Sequence, residues 1–200
     1  TTVAPSVTIN YGYDSEGQRV SSTNGSVTTK YPSMFYNFDG TNIQKHLSLG
    51  DLSVATVKGS GAGASIFYNH ADHLSGASVL TNSTGASEQV LDYFPYGTIR
   101  VDDKAGSFDE QRKYIGQEYD TVTGLSYLNA RYYNSATAKF ISQDPLFWDL
   151  PKEYLQDPQQ QNSYSYARNN PIVGSDPSGL ETINLAVPGT WYDVEGWVNS

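Results

Sequence analysis

The sequence predicts an all-β fold of antiparallel strands, and its composition is the first reason. Sixteen tyrosines dominate the 13% aromatic content, and tyrosine suits strands that are buried on one face and wet on the other. Eighteen glycines and nine prolines imply frequent turns, while no segment keeps the 3.6-residue period of an amphipathic helix. Strand-like runs separated by turn signals arrive about every ten to fifteen residues, which is typical of a β-meander or antiparallel β-ribbon.

These runs define the predicted strands in the first half of the chain. They cover residues 7–11, 18–22, 27–31, 41–47, 51–57, 65–68, 77–81 and 89–93. Asn24-Gly25 predicts a tight hairpin turn between the second and third of them, because both residues tolerate positive φ. Leu49-Gly50 predicts another turn, between the fourth and fifth strands.

The later part of the chain departs from this pattern. Residues 149–156 predict one short helix, since Pro151 suits a first helical turn and the Pro at 158 would end it. The alternating tyrosines of 164–166 fit either a strand or a single helical turn. Two further strands are predicted near the end of the chain, at residues 182–187 and 191–198.

Charge and residue content exclude several classes of function. The net charge is −9 with scattered basic residues, so we expect no nucleic-acid partner. The chain has no cysteine, which excludes disulfides and thiol catalysis. His70 and His73 lie among turn-forming residues, whereas metal binding at this spacing needs a helix; we expect neither a metal nor another cofactor. No apolar run reaches the roughly 18 residues of a membrane span. Residues 1–5 lack a signal-peptide pattern, so we interpret the chain as part of a longer one.

A loose repeat underlies the predicted hairpins. Residues 13–19 have the aromatic-Asp-x-x-Gly-x-Arg form of a YD repeat, and residues 38–40, 93–97 and 119–124 are degenerate copies. The aromatic side chain would anchor the end of a strand. The Asp would bond downstream backbone amides, and the Gly would take the left-handed turn position.

Seven sequence blocks follow one another from about Tyr68 onward. They are Tyr-Asn-His-Ala-Asp-His-Leu-Ser-Gly at 68–76, Asp-Tyr-Phe-Pro-Tyr-Gly at 92–97, Tyr-Ile-Gly-Gln-Glu-Tyr-Asp at 114–120, Thr-Gly-Leu-Ser-Tyr-Leu-Asn-Ala-Arg-Tyr-Tyr at 123–133, Phe-Ile-Ser-Gln-Asp-Pro at 140–145, Tyr-Ser-Tyr-Ala-Arg-Asn-Asn-Pro at 164–171 and Asp-Pro-Ser-Gly-Leu at 176–180. In this order and completeness the blocks resemble the RHS repeat-associated core domain, the closing segment of RHS/YD-repeat shell proteins.

The resemblance implies an organisation in three regions. Residues 1–67 would form YD-repeat-like β-hairpins, residues 68–180 the RHS-associated core domain, and residues 181–200 the start of a variable C-terminal segment or tail. It also implies a β-ribbon that spirals into a shell around a C-terminal payload, commonly a toxin, in a secreted or cell-surface protein. The expected partners are that payload and the upstream YD-repeat shell. Unpaired β edges would also allow self-association.

The resemblance further implies a site of self-cleavage. Many family members cut themselves after Asp-Pro-x-Gly-Leu by an aspartyl-protease-like mechanism, which here would place the cut between Leu180 and Glu181. The corresponding catalytic carboxylates are Asp144 and Asp176. The residues expected to support the motif are Arg131, Pro177, Gly179 and Arg168.

The chemistry of such a site is sound, but the residues leave alternatives open. Two carboxylates that share a proton can act as a base toward water and an acid toward the leaving amine. Members that cut often carry Arg before the first Asp, where Gln143 stands here, and Arg168 is the expected substitute. Glu181 excludes an acyl shift, which needs Ser, Thr or Cys after the cut.

Because Asp-Pro is also an ordinary turn initiator, the alternative is an uncleaved structural or surface-interaction member of the family. A carbohydrate-binding β domain, suggested by exposed Tyr and Trp, is a third interpretation.

Overall fold

The computed structural model describes residues 8–50, 52–149, 158–159 and 161–184. Ten antiparallel strands form one sheet, in which each strand pairs with its neighbours in sequence. Their bounds are Ile9–Tyr13 (β1), Arg19–Asn24 (β2), Val27–Ser33 (β3), Tyr36–Phe38 (β4), Ile43–Leu49 (β5), Leu52–Lys58 (β6), Ser65–Ala71 (β7), Ala77–Thr81 (β8), Ser87–Tyr93 (β9) and Ile99–Lys104 (β10). The predicted meander is confirmed. The sequence did not predict β4 and β10, because β4 has three residues and β10 is rich in Asp and Lys, which are depleted in strands.

The hairpin between β2 and β3 is present, but its turn lies one residue later than predicted. Asn24 pairs with Val27, so Gly25 and Ser26 occupy the two turn positions. Gly25 has φ +59°, a conformation that costs glycine little. Asn24 therefore remains the last residue of its strand.

Two hairpins of the sheet close through the same five-residue turn, which we call the Asx-x-x-Gly turn. In residues 14–18 the Gly17 N–H donates to the Asp14 carbonyl at 3.2 Å, and the Gln18 N–H donates to Asp14 Oδ1 at 2.8 Å. Residues 82–86 repeat both bonds at 2.9 and 3.1 Å. Gly17 and Gly85 have φ of +80° and +83°. The roles predicted for Asp and Gly in the YD repeat are thus confirmed at Asp14 and Gly17.

Two smaller sheets follow the large one. Four antiparallel strands, again in sequence order, are Glu118–Asp120 (β11), Leu125–Leu128 (β12), Arg131–Asn134 (β13) and Lys139–Phe140 (β14). The third sheet pairs Gly174–Ser175 (β15) with Ile183–Asn184 (β16). Short 3-10 helices cover Gly61–Gly63, Tyr114–Gly116, Pro145–Asp149 and Ala167–Asn169.

The remaining predictions for the second half have mixed outcomes. The helix predicted at 149–156 lies outside the described residues except for Asp149, which ends a 3-10 helix. Ser165 bridges to Lys139 as an isolated strand pair, and the 3-10 helix begins only at Ala167, so the strand interpretation of residues 164–166 is the one that the structure supports. Of the strands predicted at 182–187 and 191–198, β16 is described and the rest lies outside the described residues. The predicted boundary after residue 67 falls within β7, and the division into regions stays a prediction.

An aromatic core joins the large sheet to the second sheet. Its buried members are Leu74, Tyr114, Ile115, Leu128, Tyr133, Phe140, Tyr166 and Ala167. The Tyr133 and Tyr166 rings are 4.3 Å apart between centroids, within the range of stabilising aromatic pairs. Since β12, β13 and β14 each contribute to this core, it holds the β12–β13 hairpin in a fixed position.

The two edge strands of the large sheet differ in charge. At the β10 edge, Lys104 lies 3.1 Å from Asp109 and Asp102 lies 3.0 Å from Lys113. A charged segment is therefore fastened to the end of this strand. At the opposite edge β1 reads Ile-Asn-Tyr-Gly-Tyr and carries no charged side chain.

Candidate active site

The site is built around the tight turn between β12 and β13. Leu128 pairs with Arg131, so Asn129 and Ala130 form a two-residue turn. Asn129 has φ +61°, a left-handed conformation that Asn tolerates better than most residues. The turn faces a five-residue loop, residues 176–180, which connects β15 toward β16.

Three successive residues of the β12–β13 hairpin bond three successive carbonyls of the loop. The pairs are Asn129 Nδ2 with the Pro177 carbonyl at 2.9 Å, the Ala130 N–H with the Ser178 carbonyl at 3.1 Å, and Arg131 Nε with the Gly179 carbonyl at 2.5 Å. Each bond satisfies a backbone acceptor that would otherwise be costly to bury. The loop is thereby held along its length by the hairpin.

The loop is itself an Asx-x-x-Gly turn. The Gly179 N–H donates to the Asp176 carbonyl at 3.4 Å, and the Leu180 N–H donates to Asp176 Oδ1 at 3.0 Å. Gly179 has φ +69°, and a Cβ built on it would lie 2.4 Å from the Leu128 carbonyl oxygen. Glycine is required at this position both for its backbone conformation and for the close approach of the hairpin.

Arg131 brings the two predicted aspartates together. Its Nη2 lies 2.9 Å from Asp144 Oδ2 and 3.4 Å from Asp176 Oδ2. The two carboxylates are therefore no farther apart than the sum of these distances. Only 2% of the Arg131 side chain is exposed, against 18% for Asp144 and 4% for Asp176. Asp144 is thus the carboxylate that water can reach.

The rest of the guanidinium is also occupied. Nη1 donates to the Ser163 carbonyl at 2.9 Å, and the same carbonyl accepts the Asp144 N–H at 3.2 Å. The guanidinium carbon lies 3.6 Å from the centre of the Phe140 ring, a cation–π contact. One side chain therefore ties together three segments that are far apart in sequence.

Burial dominates the electrostatics of Asp176. Removal from water raises the pKa of its carboxyl to about 6, although Arg131 and the Ser178 hydroxyl act in the opposite direction. Burial likewise lowers the pKa of Arg131, against the attraction of both aspartates. A carboxyl with a pKa near neutrality can hold a proton and release it during a reaction.

Asp144 has a different environment. Its Oδ1 accepts the Leu146 N–H at 2.9 Å at the start of the 3-10 helix Pro145–Asp149. It forms the shorter of the two contacts with Arg131 and keeps part of its surface in solvent. The two carboxyl groups thus meet the same cation from unlike surroundings, as an acid and a base with separate tasks would require.

The predicted cleavage bond leaves the site on its exposed side. Leu180 is partly buried and Glu181 is exposed. Ser178 Oγ accepts the Leu180 N–H at 3.2 Å and the Glu181 N–H at 3.3 Å, and its hydroxyl donates to Asp176 Oδ1 at 3.2 Å. The backbone on both sides of Leu180 is therefore bonded to this hydroxyl.

The predicted and observed residues of the site can now be compared. Arg131, Asp144, Asp176 and Gly179 lie together, whereas Arg168 is exposed in the 3-10 helix Ala167–Asn169 with φ +50°. The cation at Asp144 is Arg131 of the β12–β13 hairpin. Ser178 was not among the predicted site residues, since it occupies the x position of Asp-Pro-x-Gly-Leu and no feature of the sequence singles it out.

Within the described part of the chain, no cluster of three or more His, Asp or Glu side chains is arranged to hold a metal ion. No described helix has the length and hydropathy needed to cross a bilayer.

Comparison with known proteins identifies the family. The profile of the Teneurin YD-shell family matches residues 4–172. The chain therefore belongs to the RHS/YD-shell family, as the sequence blocks predicted. It is 32% identical over 177 residues to the tRNA nuclease WapA of Bacillus subtilis (strain 168), covering 84% of this chain and 7% of that protein. It is 34% identical over 113 residues to the toxin subunit YenC1 of Yersinia entomophaga, covering 54% of this chain and 11% of that one.

A solved structure shows the same fold. The crystal structure of TcdB2-TccC3-TEV matches with a TM-score of 0.70 and 22% identity, over 88% of this chain and 9% of that one. The all-β, antiparallel shell fold is confirmed. The chain spans about a tenth or less of the length of these relatives.

Proposed function

We propose that this chain is the closing segment of an RHS-type β-shell that encloses a C-terminal payload. Support comes from its membership of the family and from relatives named as a tRNA nuclease and a toxin subunit. The proposed partners are the payload that continues from residue 181 and the YD-repeat shell that precedes this segment. A secreted or cell-surface location follows from the same proposal.

The second part of the proposal is that the chain cuts itself between Leu180 and Glu181. The observation that carries it is the contact of one buried guanidinium with both aspartates, at 2.9 and 3.4 Å, beside the loop that leads to this bond. Asp144, partly exposed, is the base that activates water. Asp176, with its pKa raised to about 6 by burial, is the acid. Because the bond is tethered in the site, a single turnover needs no substrate binding.

Arg131 has two tasks in this scheme. Its contact with Asp144 at 2.9 Å holds that carboxylate in place, and its bond to the Gly179 carbonyl at 2.5 Å holds the loop that leads to the cut. Pro177 and Gly179 give the loop its turn geometry. Arg168 has no assigned step.

A second candidate function is an uncleaved scaffold of the same family. It is favoured by the contact of Arg131 Nη2 with both carboxylates. These ion pairs can equally serve to hold the loop and the hairpin together. In that case the three bonds from the hairpin to loop 176–180 would serve stability alone.

Intact mass under denaturing conditions distinguishes the two. Wild type, Asp144→Asn and Asp176→Asn are purified in parallel, with Asp14→Asn as the matched control in an exposed Asx-x-x-Gly turn. Self-cleavage predicts fragments ending at Leu180 and starting at Glu181 in wild type and Asp14→Asn, and an intact chain in the other two. A single mass of 21.9 kDa in all four would leave the scaffold function.

A further inference from the structure

Ser178 lies where the self-cleavage chemistry needs a proton donor. When a peptide bond breaks, its nitrogen must gain a proton to leave as an amine. For the Leu180–Glu181 bond this atom is the Glu181 nitrogen. Among the described contacts, Asp176 reaches the Leu180 N–H at 3.0 Å and the Ser178 hydroxyl at 3.2 Å, whereas the Glu181 N–H is bonded to Ser178 Oγ at 3.3 Å.

We propose that the Ser178 hydroxyl carries a proton from Asp176 to the Glu181 nitrogen as the Leu180–Glu181 bond breaks. This inference rests on the self-cleavage proposed above and assigns a further catalytic residue to it. Ser178 qualifies as catalytic because its Oγ lies 3.3 Å from the reacting nitrogen. A hydroxyl can accept one proton while it donates another, which is the property that a relay requires.

The step balances in atoms and charge. Asp144 takes a proton from water, and the water oxygen bonds to the Leu180 carbonyl carbon. The carbon–nitrogen bond then breaks, and its electron pair goes to the Glu181 nitrogen. That nitrogen takes the Ser178 hydroxyl proton while Oγ takes the proton of Asp176. The products are a Leu180 carboxyl and a Glu181 amine. Proton exchange with solvent restores both aspartates.

The geometry supports this order of events. While the peptide is planar, the Glu181 N–H points to Ser178 Oγ. As the Leu180 carbon becomes tetrahedral, the nitrogen loses its amide planarity and gains a lone pair that can accept a proton. Ser178 Oγ is already within hydrogen-bonding distance of that atom and of Asp176 Oδ1. In the resting structure the Ser178 hydroxyl donates to Asp176 Oδ1 and accepts the Glu181 N–H. The relay therefore requires both hydrogen bonds to reverse, with protonated Asp176 donating to Oγ and the hydroxyl turning to the nitrogen.

Burial of Asp176 favours its protonated form, which is the form that can donate to Ser178. With its pKa raised to about 6 by removal from water, this carboxyl is substantially protonated in mildly acidic solution. Arg131 lies 3.4 Å from the Asp176 carboxyl. Asp144 contacts the same guanidinium, at 2.9 Å. Arg131 favours the ionised form, so proton release to Ser178 leaves a carboxylate that already has a cation beside it.

The test is the rate of cleavage after cell-free synthesis of the full chain, followed by intact mass. The variants are Ser178→Ala, which removes the hydroxyl, and Ser178→Thr, which keeps it. We expect Ser178→Ala to slow cleavage about 10²-fold or more, with wild type and Ser178→Thr alike within a few-fold. Thermal unfolding of each variant is measured alongside, and Ser178→Ala is expected to remain folded.

Each outcome decides between the proposals. Cleavage of Ser178→Ala at the wild-type rate overturns the relay and leaves self-cleavage intact. Equal slowing of Ser178→Ala and Ser178→Thr, or slowing that accompanies loss of the folded state, assigns Ser178 a structural role and also overturns the relay. If wild type itself stays intact, self-cleavage fails and the relay fails with it.

Discussion

The same Asx-x-x-Gly turn occurs in two environments in this molecule. At residues 14–18 it closes an exposed hairpin, and Asp14 is in solvent. At residues 176–180 the same pair of hydrogen bonds forms around Asp176, whose side chain is only 4% exposed. The local backbone chemistry is shared, but the second turn is covered by the β12–β13 hairpin and bonded to Arg131. The two turns have the same geometry, so burial is what distinguishes Asp176, a candidate acid, from Asp14, an ordinary turn residue.

The largest expected effect comes from removing the cation of the buried turn. Arg131→Met keeps much of the apolar stem but leaves Asp144 and Asp176 without their cation, and it removes the donors to two backbone carbonyls. Breaking such a buried network costs about 3–5 kcal/mol. The measurement is the free energy of unfolding in urea, on uncleaved chain. Arg100→Met is the control, since Arg100 pairs with Asp92 at an exposed hairpin, and it should leave stability nearly unchanged. A similar small change at Arg131 would contradict the proposed burial effect.

A second effect appears in the dependence of stability on pH. The pKa of Asp176 is raised from 3.8 to about 6, so the folded state binds this proton more tightly than the unfolded chain. Between these two values folding takes up a proton, and the free energy of unfolding falls as pH rises. Asp176→Asn removes this dependence, so its stability relative to wild type should rise by about 3 kcal/mol between about pH 4 and pH 7.

Asp14→Asn makes the same chemical change in the exposed turn and serves as the control for this measurement. The difference between the two pH profiles isolates the effect of burial. If the free energy of unfolding changed with pH in the same way for both variants, burial would not have raised the pKa of Asp176.

The smallest effect separates backbone conformation from packing. Gly17 and Gly179 both have positive φ, but a Cβ on Gly17 would meet no atom within 4 Å, whereas on Gly179 it would lie 2.4 Å from the Leu128 carbonyl. Gly17→Ala should therefore cost only the conformational strain, about 1 kcal/mol. Gly179→Ala should cost about 2 kcal/mol more, since the hairpin must also move. Chemical denaturation compares the two, and equal losses would mean that the loop and the hairpin are not tightly packed.

The comparison also explains how far the sequence alone could predict the structure. Strand alternation and turn signals are local, so the meander and the roles of Asp14 and Gly17 could be predicted. The link from Arg131 to Asp176 spans 45 residues and depends on how the sheets pack. Because the family resemblance places a cation where Gln143 stands here, Arg168 was the expected substitute, and the sequence could not show that Arg131 takes this place. Ser178 was overlooked for a related reason. Its importance comes from lying beside Asp176 and Glu181 after the loop has folded.

The unequal edges of the large sheet give it a direction of growth. A further strand needs free backbone groups and a surface without obstructing charge. Ion pairs link Asp102 and Lys104 of β10 to Lys113 and Asp109, whereas the Ile9–Tyr13 strand at the opposite edge carries no charged side chain. If the proposed shell continues beyond this segment, we therefore expect its next strand to pair with β1. The large sheet would then lengthen strand by strand at its β1 edge and end at β10.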